Sequence, residues 1–429
     1  NAAAEGMVLL KDDEKSLPVE PGTNVALFGN NGMDLIAGGT GSGDVNRMYT
    51  VPLSDGLFRA GYALNTDVYR SYSKYMAAEN AKKPKRTLME ELMSPSKPIP
   101  EMDVTDDMIQ KAASTSAVAI ISIGRNAGEG SDRKVADDYL LTEKELALIK
   151  SVSAAFHAQH KKLIVVLNIG GIVDLIQWRD AADGILLAWQ PGLEGGNAIA
   201  DVISGKVNPS GKLTATFPAH YEDDITAKNF PGREIPGTEK PGLFGQKMKD
   251  AEVIYEEGIY VGYRYYSSFN IPTAYPFGYG LSYTTFKFSD LKLSSQQMAD
   301  SLQVSVTVTN TGSVAGREVG ELYISAPAVK MDKPSTELKA FAKTKLLSAG
   351  ESQVLEFLLT PADLASFNTA KTSWIADAGN YLIRIGDAQE TYVFGSFKLP
   401  KEMIVEKVNA VLIPKIAINE LKHTITKTK

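Results

Sequence analysis

The sequence predicts a doubly wound α/β/α sandwich followed by a β-sandwich, which places the chain in the α/β plus all-β class. Two observations predict this architecture. In the first half of the chain, short apolar runs alternate with helical segments, as is typical of a parallel sheet with helices on both faces. After residue 275 the pattern takes a period of two, and helical segments no longer interrupt it. The length of 429 residues also indicates two or three domains.

The elements of the first half are predicted by apolar runs and by helix signals. Thr142 and Glu145 have the spacing of a capping box and predict the start of a helix over 142–157. A short helix is predicted over 173–179, and residues 83–104 predict an exposed excursion broken by prolines. The predicted strands are 24–28, 62–64, 117–123, 163–167, 184–189 and, as a last edge strand, 213–217. Their ends would gather four loops at one edge of the sheet: 30–47, 124–134, 168–172 and 189–197.

The second half of the chain predicts a β-sandwich of the immunoglobulin or fibronectin type III class. The run LQVSVTVTN alternates strictly from residue 302, and the strands GELYISAP, SQVLEFLLT and GNYLIRIGD follow between turn residues. Before it, the stretch YEEGIYVGYRYY is rich in aromatic residues that could be core, rim or substrate platform. We therefore divide the chain into an α/β sandwich domain, a connecting segment, a fibronectin type III-like domain and a trailing segment, at 1–218, 219–274, 275–398 and 399–429.

Composition argues against several classes of function. The net charge is −6, and no segment concentrates enough Lys and Arg to neutralise a phosphate backbone, so we expect no nucleic-acid partner. The chain has no cysteine, and its four histidines are scattered, so we expect no metal and no cofactor. No apolar run reaches the roughly 18 residues of a membrane span, and no signal peptide is visible.

A first glycine-rich loop follows the predicted strand 24–28 and offers Gly39, Thr40, Ser42 and Asp44 as candidate binding residues. A phosphate-binding loop would need Lys followed by Ser or Thr after the last glycine, and Asp44 would instead repel a phosphate. This makes a nucleotide-binding protein an unfavoured alternative. We expect the loop to pack on a ligand or on another domain.

A second loop lies within residues 116–134, SAVAIISIGRNAGEGSDRK, and places Glu129 between two glycines at the end of a buried strand. Open α/β sheets bind their ligands at such strand ends. From spacing alone, however, a glutamate in a loop is more often solvated than catalytic. Arg125, Asp132 and Arg133 belong to the same stretch, and they either orient Glu129 or make local ion pairs.

Six motifs, in the right order and spacing, resemble glycoside hydrolase family 3 over residues 1–398: AAEGMVLLK, GGTGSGDVN, GEGSDRK, NPSGKLTATFP, YEEGIYVGYRYY and FGYGLSY. Within that family the chain resembles the β-glucosidases. The resemblance implies a bacterial retaining exo-acting β-glycosidase, cytoplasmic, periplasmic or secreted. Its substrates would be β-linked oligosaccharides or aryl and alkyl glucosides, with terminal β-glucosyl residues removed.

The resemblance also implies roles for individual residues. The family takes its general acid/base from the glutamate of a GEG-x-DRK loop, which corresponds to Glu129. Its nucleophile is an aspartate in a Ser-Asp-Trp-type motif of a (β/α)8 barrel. No tryptophan of this chain follows Ser-Asp, and no barrel repeat is present. We therefore expect 399–429 to be a linker toward a missing catalytic barrel, in the same gene or on a second chain, and we expect no turnover from this chain alone.

Glu129 alone would not complete the reaction. Retaining hydrolysis needs two carboxyl groups about 5–5.5 Å apart, so Glu129 could protonate a leaving group but could not form a glycosyl–enzyme intermediate by itself.

The sequence leaves several alternatives open. The loop 38–44 either shapes an aglycone subsite or packs between domains, and the β-sandwich would act as a scaffold. A non-catalytic carbohydrate-binding or scaffold protein is the alternative from another class. Within the family, β-xylosidase and β-N-acetylglucosaminidase are alternatives, and a homo-oligomer is possible.

Overall fold

A mixed β-sheet forms the first part of the fold. The computed structural model describes residues 1–40, 43, 47–84, 98–127, 132–242, 247–387 and 392–423. In these ranges the sheet has strands β1 (Val8–Asp12), β2 (Asn24–Phe28), β3 (Ala63–Leu64), β4 (Val118–Arg125), β5 (Lys162–Ile169) and β6 (Gly184–Leu187). Their order is β1-β6-β5-β4-β2-β3, with β1 antiparallel to β6 and the other neighbours parallel.

Helices cover both faces of this sheet, which confirms the predicted α/β/α sandwich. On one face lie α3 (Thr66–Lys82), α4 (Asp106–Thr115) and α5 (Glu143–His157); on the other lie α1 (Ala2–Gly6), α2 (Leu53–Arg59) and α6 (Gly195–Ile203). Neighbouring residues of one strand point to opposite faces, so Ile121 joins one apolar cluster and Ile120 the other. Both side chains are fully buried.

The start of α5 has the predicted capping box. The Thr142 hydroxyl accepts the backbone N–H of Glu145 at 3.3 Å, and the Glu145 carboxylate accepts the backbone N–H of Thr142 at 2.8 Å. Two of the N–H groups that a helix leaves without an internal partner are thereby satisfied.

The predicted edge strand over 213–217 is wrong. That edge of the sheet is β1, which runs antiparallel to β6 and whose residues Val8, Leu9 and Leu10 are at most 1% exposed. The backbone of Leu213 instead exchanges hydrogen bonds with Gly278 and Tyr279. Of this stretch, only Phe217 enters a strand, β7 (Phe217–Pro218), and that strand pairs with a later segment.

The predicted helix over 173–179 is also wrong, and a single turn stands in its place. The Trp178 indole N–H donates to the carbonyl of Asp174 at 2.9 Å, and the Asp174 carboxylate accepts the N–H of Gln177. These side-chain bonds compete with the backbone bonds of a regular helix. A 3₁₀ turn, Arg179–Ala181, follows. Other 3₁₀ turns are Asp13–Lys15, Asn30–Gly32, Tyr221–Asp223 and Ala227–Asn229.

The predicted fibronectin type III-like β-sandwich is confirmed as antiparallel sheets. Leu302, Val304, Val306 and Val308 all point into its core and are at most 1% exposed, as strict alternation requires. Its strands are β13 (Phe286–Leu293), β14 (Leu302–Asn310), β15 (Val319–Ser325), β16 (Glu337–Lys343), β17 (Ser352–Leu359), β18 (Ser366–Asn368), β19 (Ser373–Ala376), β20 (Gly379–Gly386), β21 (Val393–Leu399) and β22 (Met403–Lys407), and a short helix, α8 (Pro361–Leu364), joins β17 to β18.

Between the two layered parts, the chain forms short paired strands and one helix, α7 (Tyr263–Phe269). The strands are β8 (Arg233–Glu234), β9 (Lys240–Pro241), β10 (Lys247–Met248), β11 (Ala251–Glu252) and β12 (Thr273–Tyr275). They pair as β8 with β11, β9 with β10, and β7 with β12. The domain boundaries at 218, 274 and 398 stay predictions.

In its described part, residues 399–423, the trailing segment contacts the rest of the molecule through its first residues and through its last ones. Its first part contains β22, which pairs with β19 of the sandwich. Further along, the backbone N–H of Leu421 donates to the carbonyl of Glu256 at 2.7 Å, and the His423 ring lies 5.4 Å from the Phe269 ring. Its role as a linker stays a prediction.

Candidate active site

The carboxyl ends of the parallel strands bring four loops together at one edge of the sheet. A Cβ atom on Gly39 would lie 3.0 Å from the carbonyl oxygen of Ala127, so the loops after β2 and β4 touch there. A Cβ atom on Gly170 would lie 2.7 Å from the Gln190 side chain and 2.8 Å from Ala127. The loops after β5 and β6 therefore meet the same point, and the predicted gathering of loops is confirmed.

Asn168, at the end of β5, links the loops after β2 and β6 through its side chain. Its side chain is fully buried, and its amide nitrogen donates to the carbonyls of Ile36 at 2.9 Å and Trp189 at 2.6 Å. Its amide oxygen accepts from the backbone N–H of Ile36 at 2.7 Å and from Asn31 at 3.0 Å. Asn168 is not among the residues predicted for the site, although a lone asparagine at the end of an apolar run is a usable signal.

The buried side chain of Glu101 forms a hydrogen bond with the start of the loop after β2. The Glu101 carboxylate accepts the backbone N–H of Asn30 at 3.0 Å and the Tyr72 hydroxyl at 2.9 Å. Burial raises the pKa of this carboxyl to about 7. The exposed excursion predicted over 83–104 is therefore wrong at Glu101, which is 9% exposed, and residues 85–97 lie outside the described ranges.

Three of the predicted site residues, Glu129, Ser42 and Asp44, lie outside the described residues, and their roles stay predictions. Gly39 and Thr40 are half-buried in the loop after β2. Their predicted role in binding stays a prediction.

Arg125 lies where the Glu129 loop begins, and it forms a buried ion pair. Its guanidinium donates to both carboxylate oxygens of Glu145, at 2.7 and 2.5 Å, and its Nε donates to the carbonyl of Asp138 at 3.0 Å. The side chains of Arg125 and Glu145 are only 11% and 9% exposed. A bidentate pair of this kind fixes the direction of the arginine as well as its charge.

Arg133 holds the other end of the loop. Its guanidinium donates to the Asp138 carboxylate at 2.6 and 3.0 Å and to the carbonyl of Ile172 at 2.7 Å. Asp132 is exposed. Of the two alternatives for the arginines, the local ion pairs are present, and they anchor the two ends of the segment that carries Glu129.

Comparison with protein families gives two matches along the chain. The profile of the glycosyl hydrolase family 3 C-terminal domain matches residues 7–263, and that of the fibronectin type III-like domain matches residues 318–389. No helix among the described residues is both long enough and apolar enough to cross a membrane.

Known proteins with similar sequences include several β-glucosidases. Beta-glucosidase A of Butyrivibrio fibrisolvens is 38% identical over 96% of this chain and 52% of its own length. A beta-glucosidase of Ruminococcus albus is 33% identical, over 98% of this chain and 42% of its own. An exo-alpha-(1->6)-L-arabinopyranosidase of Bifidobacterium longum is 36% identical over 60% of this chain and 31% of its own.

A solved structure agrees with the sequence comparison. Beta-glucosidase 3B from Thermotoga neapolitana, in complex with α-D-glucose, superposes with a TM-score of 0.84 at 42% identity, over 94% of this chain and 53% of its own. The chain thus spans about half the length of the β-glucosidases that it matches. On the match of its larger part to the family profile, the chain belongs to glycosyl hydrolase family 3 and carries the C-terminal domain of that family.

Proposed function

We propose that this chain supplies the general acid/base, Glu129, of a retaining exo-acting β-glucosidase. The substrates would be β-linked oligosaccharides and aryl or alkyl glucosides. The observation that carries the proposal is the anchoring of the residues that flank Glu129: Arg125, before it, pairs with Glu145, and Arg133, after it, pairs with Asp138. Family membership supports the same assignment.

The ion pairs of Arg125 and Arg133 suit a neighbouring group that must deliver a proton to a defined atom. A general acid has to reach hydrogen-bond distance of the leaving oxygen, and misplacement by an ångström costs much of the rate. Arg125 and Arg133 are both tied to Asp138, one through its carbonyl and one through its carboxylate. The two arginines that flank the Glu129 segment therefore contact the same residue, which fixes their positions relative to each other.

The nucleophile of this reaction would come from a catalytic barrel domain outside these 429 residues. The relatives are about twice as long as the stretch they share with this chain, which leaves room for such a domain. A carboxylate on the barrel would lie about 5–5.5 Å from Glu129 and attack the anomeric carbon. Its negative charge would also raise the pKa of Glu129, as the acid role requires.

The test is a comparison of two variants in the enzyme that contains both this chain and its barrel. Glu129→Gln should lower kcat/KM for cellobiose by about 100- to 10,000-fold, because the glucose leaving group needs a proton. With dinitrophenyl β-glucoside, whose leaving group departs without one, the first step should be nearly unchanged. Glu143→Gln, at an exposed glutamate of α5, should leave both rates unchanged.

If Glu129→Gln hydrolyses cellobiose at the rate of the unmodified enzyme, the acid/base assignment is wrong. The chain without a barrel should release no product from either substrate. A panel of aryl glucosides, xylosides, N-acetylglucosaminides and arabinopyranosides on the complete enzyme then decides the glycone. This matters because arabinopyranosidases are among the relatives of this chain.

A further inference from the structure

A glutamine in the loop after β6 contacts the residues that precede Glu129. The side-chain amide of Gln190 donates from its Nε2 to the side-chain oxygen of Asn126 at 3.0 Å. The same oxygen of Asn126 accepts the backbone N–H of Ala127 at 2.9 Å. Asn126 lies three residues before Glu129 in the sequence. A side chain from a different loop is therefore bonded to the chain just before the proposed acid.

A close approach at Gly170 keeps Gln190 beside this segment. A Cβ atom on Gly170 would lie 2.7 Å from Nε2 of Gln190 and 2.8 Å from the Cβ atom of Ala127, whereas non-bonded carbon atoms prefer about 3.5–4 Å. The backbone N–H of Gly170 also donates to the carbonyl of Arg125 at 3.0 Å. The loop after β5 thus leaves room for Gln190 and Ala127 to pack closely only because residue 170 is glycine.

The backbone that presents Gln190 is strained and held from below by a buried side chain. Trp189 has a φ of +52°, in the left-handed region that a bulky residue rarely adopts. Its carbonyl accepts the amide nitrogen of Asn168 at 2.6 Å, and Asn168 is fully buried. Pro191 follows Gln190, and a residue before proline is restricted toward extended conformations. Strained residues of this kind persist only where the surrounding structure holds them, and they cluster at functional sites.

We propose that Gln190 is a positioning residue for Glu129 and that it acts through Asn126. The inference rests on the proposed function of Glu129. In this role Gln190 touches no reacting atom, and its bond to Asn126 restricts the segment that leads to the acid. A general acid must come within hydrogen-bond distance of the leaving oxygen, and a small displacement slows the transfer of its proton. Loss of the bond therefore weakens the protonation step in particular.

The test compares two substrates for Gln190→Met in the enzyme that contains both this chain and its barrel. Methionine has a similar length and no amide donor, so the bond to Asn126 is lost. For cellobiose, kcat/KM should fall about three- to tenfold, the size of one lost hydrogen bond. For dinitrophenyl β-glucoside, whose leaving group departs without a proton, kcat/KM should stay unchanged. A merely structural defect would lower both values by the same factor.

A double-variant comparison tests the route through Asn126. Asn126→Ala removes the oxygen that accepts from Gln190 and from Ala127, so it should lower kcat/KM for cellobiose at least as much as Gln190→Met does. The variant with both changes should be no slower than Asn126→Ala alone, because the bond that Gln190 makes is already lost.

Gln159→Met is the matched control. Gln159 is half-buried, as Gln190 is, and its side chain also makes a hydrogen bond, with Lys161 at 3.3 Å. It precedes the start of β5, so it lies at the edge of the sheet opposite to the four loops. This variant should hydrolyse both substrates at the rate of the unmodified enzyme.

A loss that is confined to cellobiose and that disappears when residue 126 is alanine supports the proposal. It is overturned if Gln190→Met changes neither rate, lowers both rates equally, or keeps its full effect beside Asn126→Ala. Glu129→Gln in the same assay separates this proposal from the one on which it rests. If Glu129→Gln is slow on cellobiose and Gln190→Met is not, only the role of Gln190 fails; if Glu129→Gln is not slow, the acid assignment itself fails.

Discussion

The free energy of unfolding should fall as the pH rises to neutral and alkaline values, because Glu101 becomes ionised. Replacement of Glu101 by glutamine should abolish this fall. The Glu101 carboxyl is 9% exposed, and its burial raises its pKa from 4.5 to about 7. Glutamine has nearly the same shape. Its amide oxygen can accept the N–H of Asn30, and its amide nitrogen can donate to the oxygen of Tyr72, so both contacts of the carboxyl are kept.

The size of the effect follows from the shift in pKa. Because the folded pKa lies above the unfolded one, the folded state binds the proton more tightly. The resulting stabilisation is complete below pH 4.5 and is lost as the pH rises through 7. The shift from 4.5 to about 7 corresponds to about 3 kcal/mol, since one pKa unit is worth about 1.4 kcal/mol. Most of that amount falls between about pH 5 and 8.

Urea unfolding at the two ends of this pH range measures the effect. The unmodified protein should lose about 2.5 kcal/mol more than Glu101→Gln does when the pH is raised from about 5 to 8, because part of the full effect lies below pH 5. Glu143→Gln, at an exposed glutamate, should follow the unmodified protein. If Glu101→Gln loses stability in parallel with the unmodified protein, Glu101 does not titrate in this range and the reasoning is refuted. Because Asn30 begins the loop after β2, the same variant should steady that loop at high pH.

Two further predictions concern the anchors of the candidate site. Arg125→Met leaves a buried carboxylate without its cation and should cost about 3–5 kcal/mol in denaturant unfolding. Lys144→Met, which breaks an exposed pair, should cost far less, and similar losses for the two variants would contradict this. Gly29→Ala places a Cβ atom 2.2 Å from the carbonyl oxygen of Ser122 at a φ of +90°, and it should lower the melting temperature much more than Gly22→Ala, which has the same φ and nothing within 4 Å. Equal shifts would show that the contact is unimportant.

Features that depend on neighbours along the chain were predictable from sequence. The capping box of α5 needs only Thr142 and Glu145, three residues apart. The inward direction of Val304 and Val306 follows from their alternation with polar residues. Both patterns are local, and the structure has both.

Features that depend on distant partners were not predictable. The runs 8–12 and 213–217 are both short and apolar, and only pairing with β6 decides which of them becomes the edge strand. The Trp178 indole N–H donates to the carbonyl of Asp174, a bond that competes with a regular helix and that no hydropathy pattern indicates. Glu101 follows prolines and looks exposed, yet it contacts Asn30 from 71 residues away.

The sequence by itself determined the α/β plus all-β class, the resemblance to glycoside hydrolase family 3 and the choice of Glu129 as the candidate acid. Strand alternation and helix caps depend on residues that are close in the sequence, and motifs depend on order and spacing. All three can therefore be recognised without a three-dimensional structure. Only the tertiary structure decided that Arg125 and Arg133 make ion pairs, that Asn168 links the loops after β2 and β6, and that the Glu101 carboxylate is buried against Asn30. Each of these depends on which distant groups meet when the chain folds, because a buried polar group must find its partner in space.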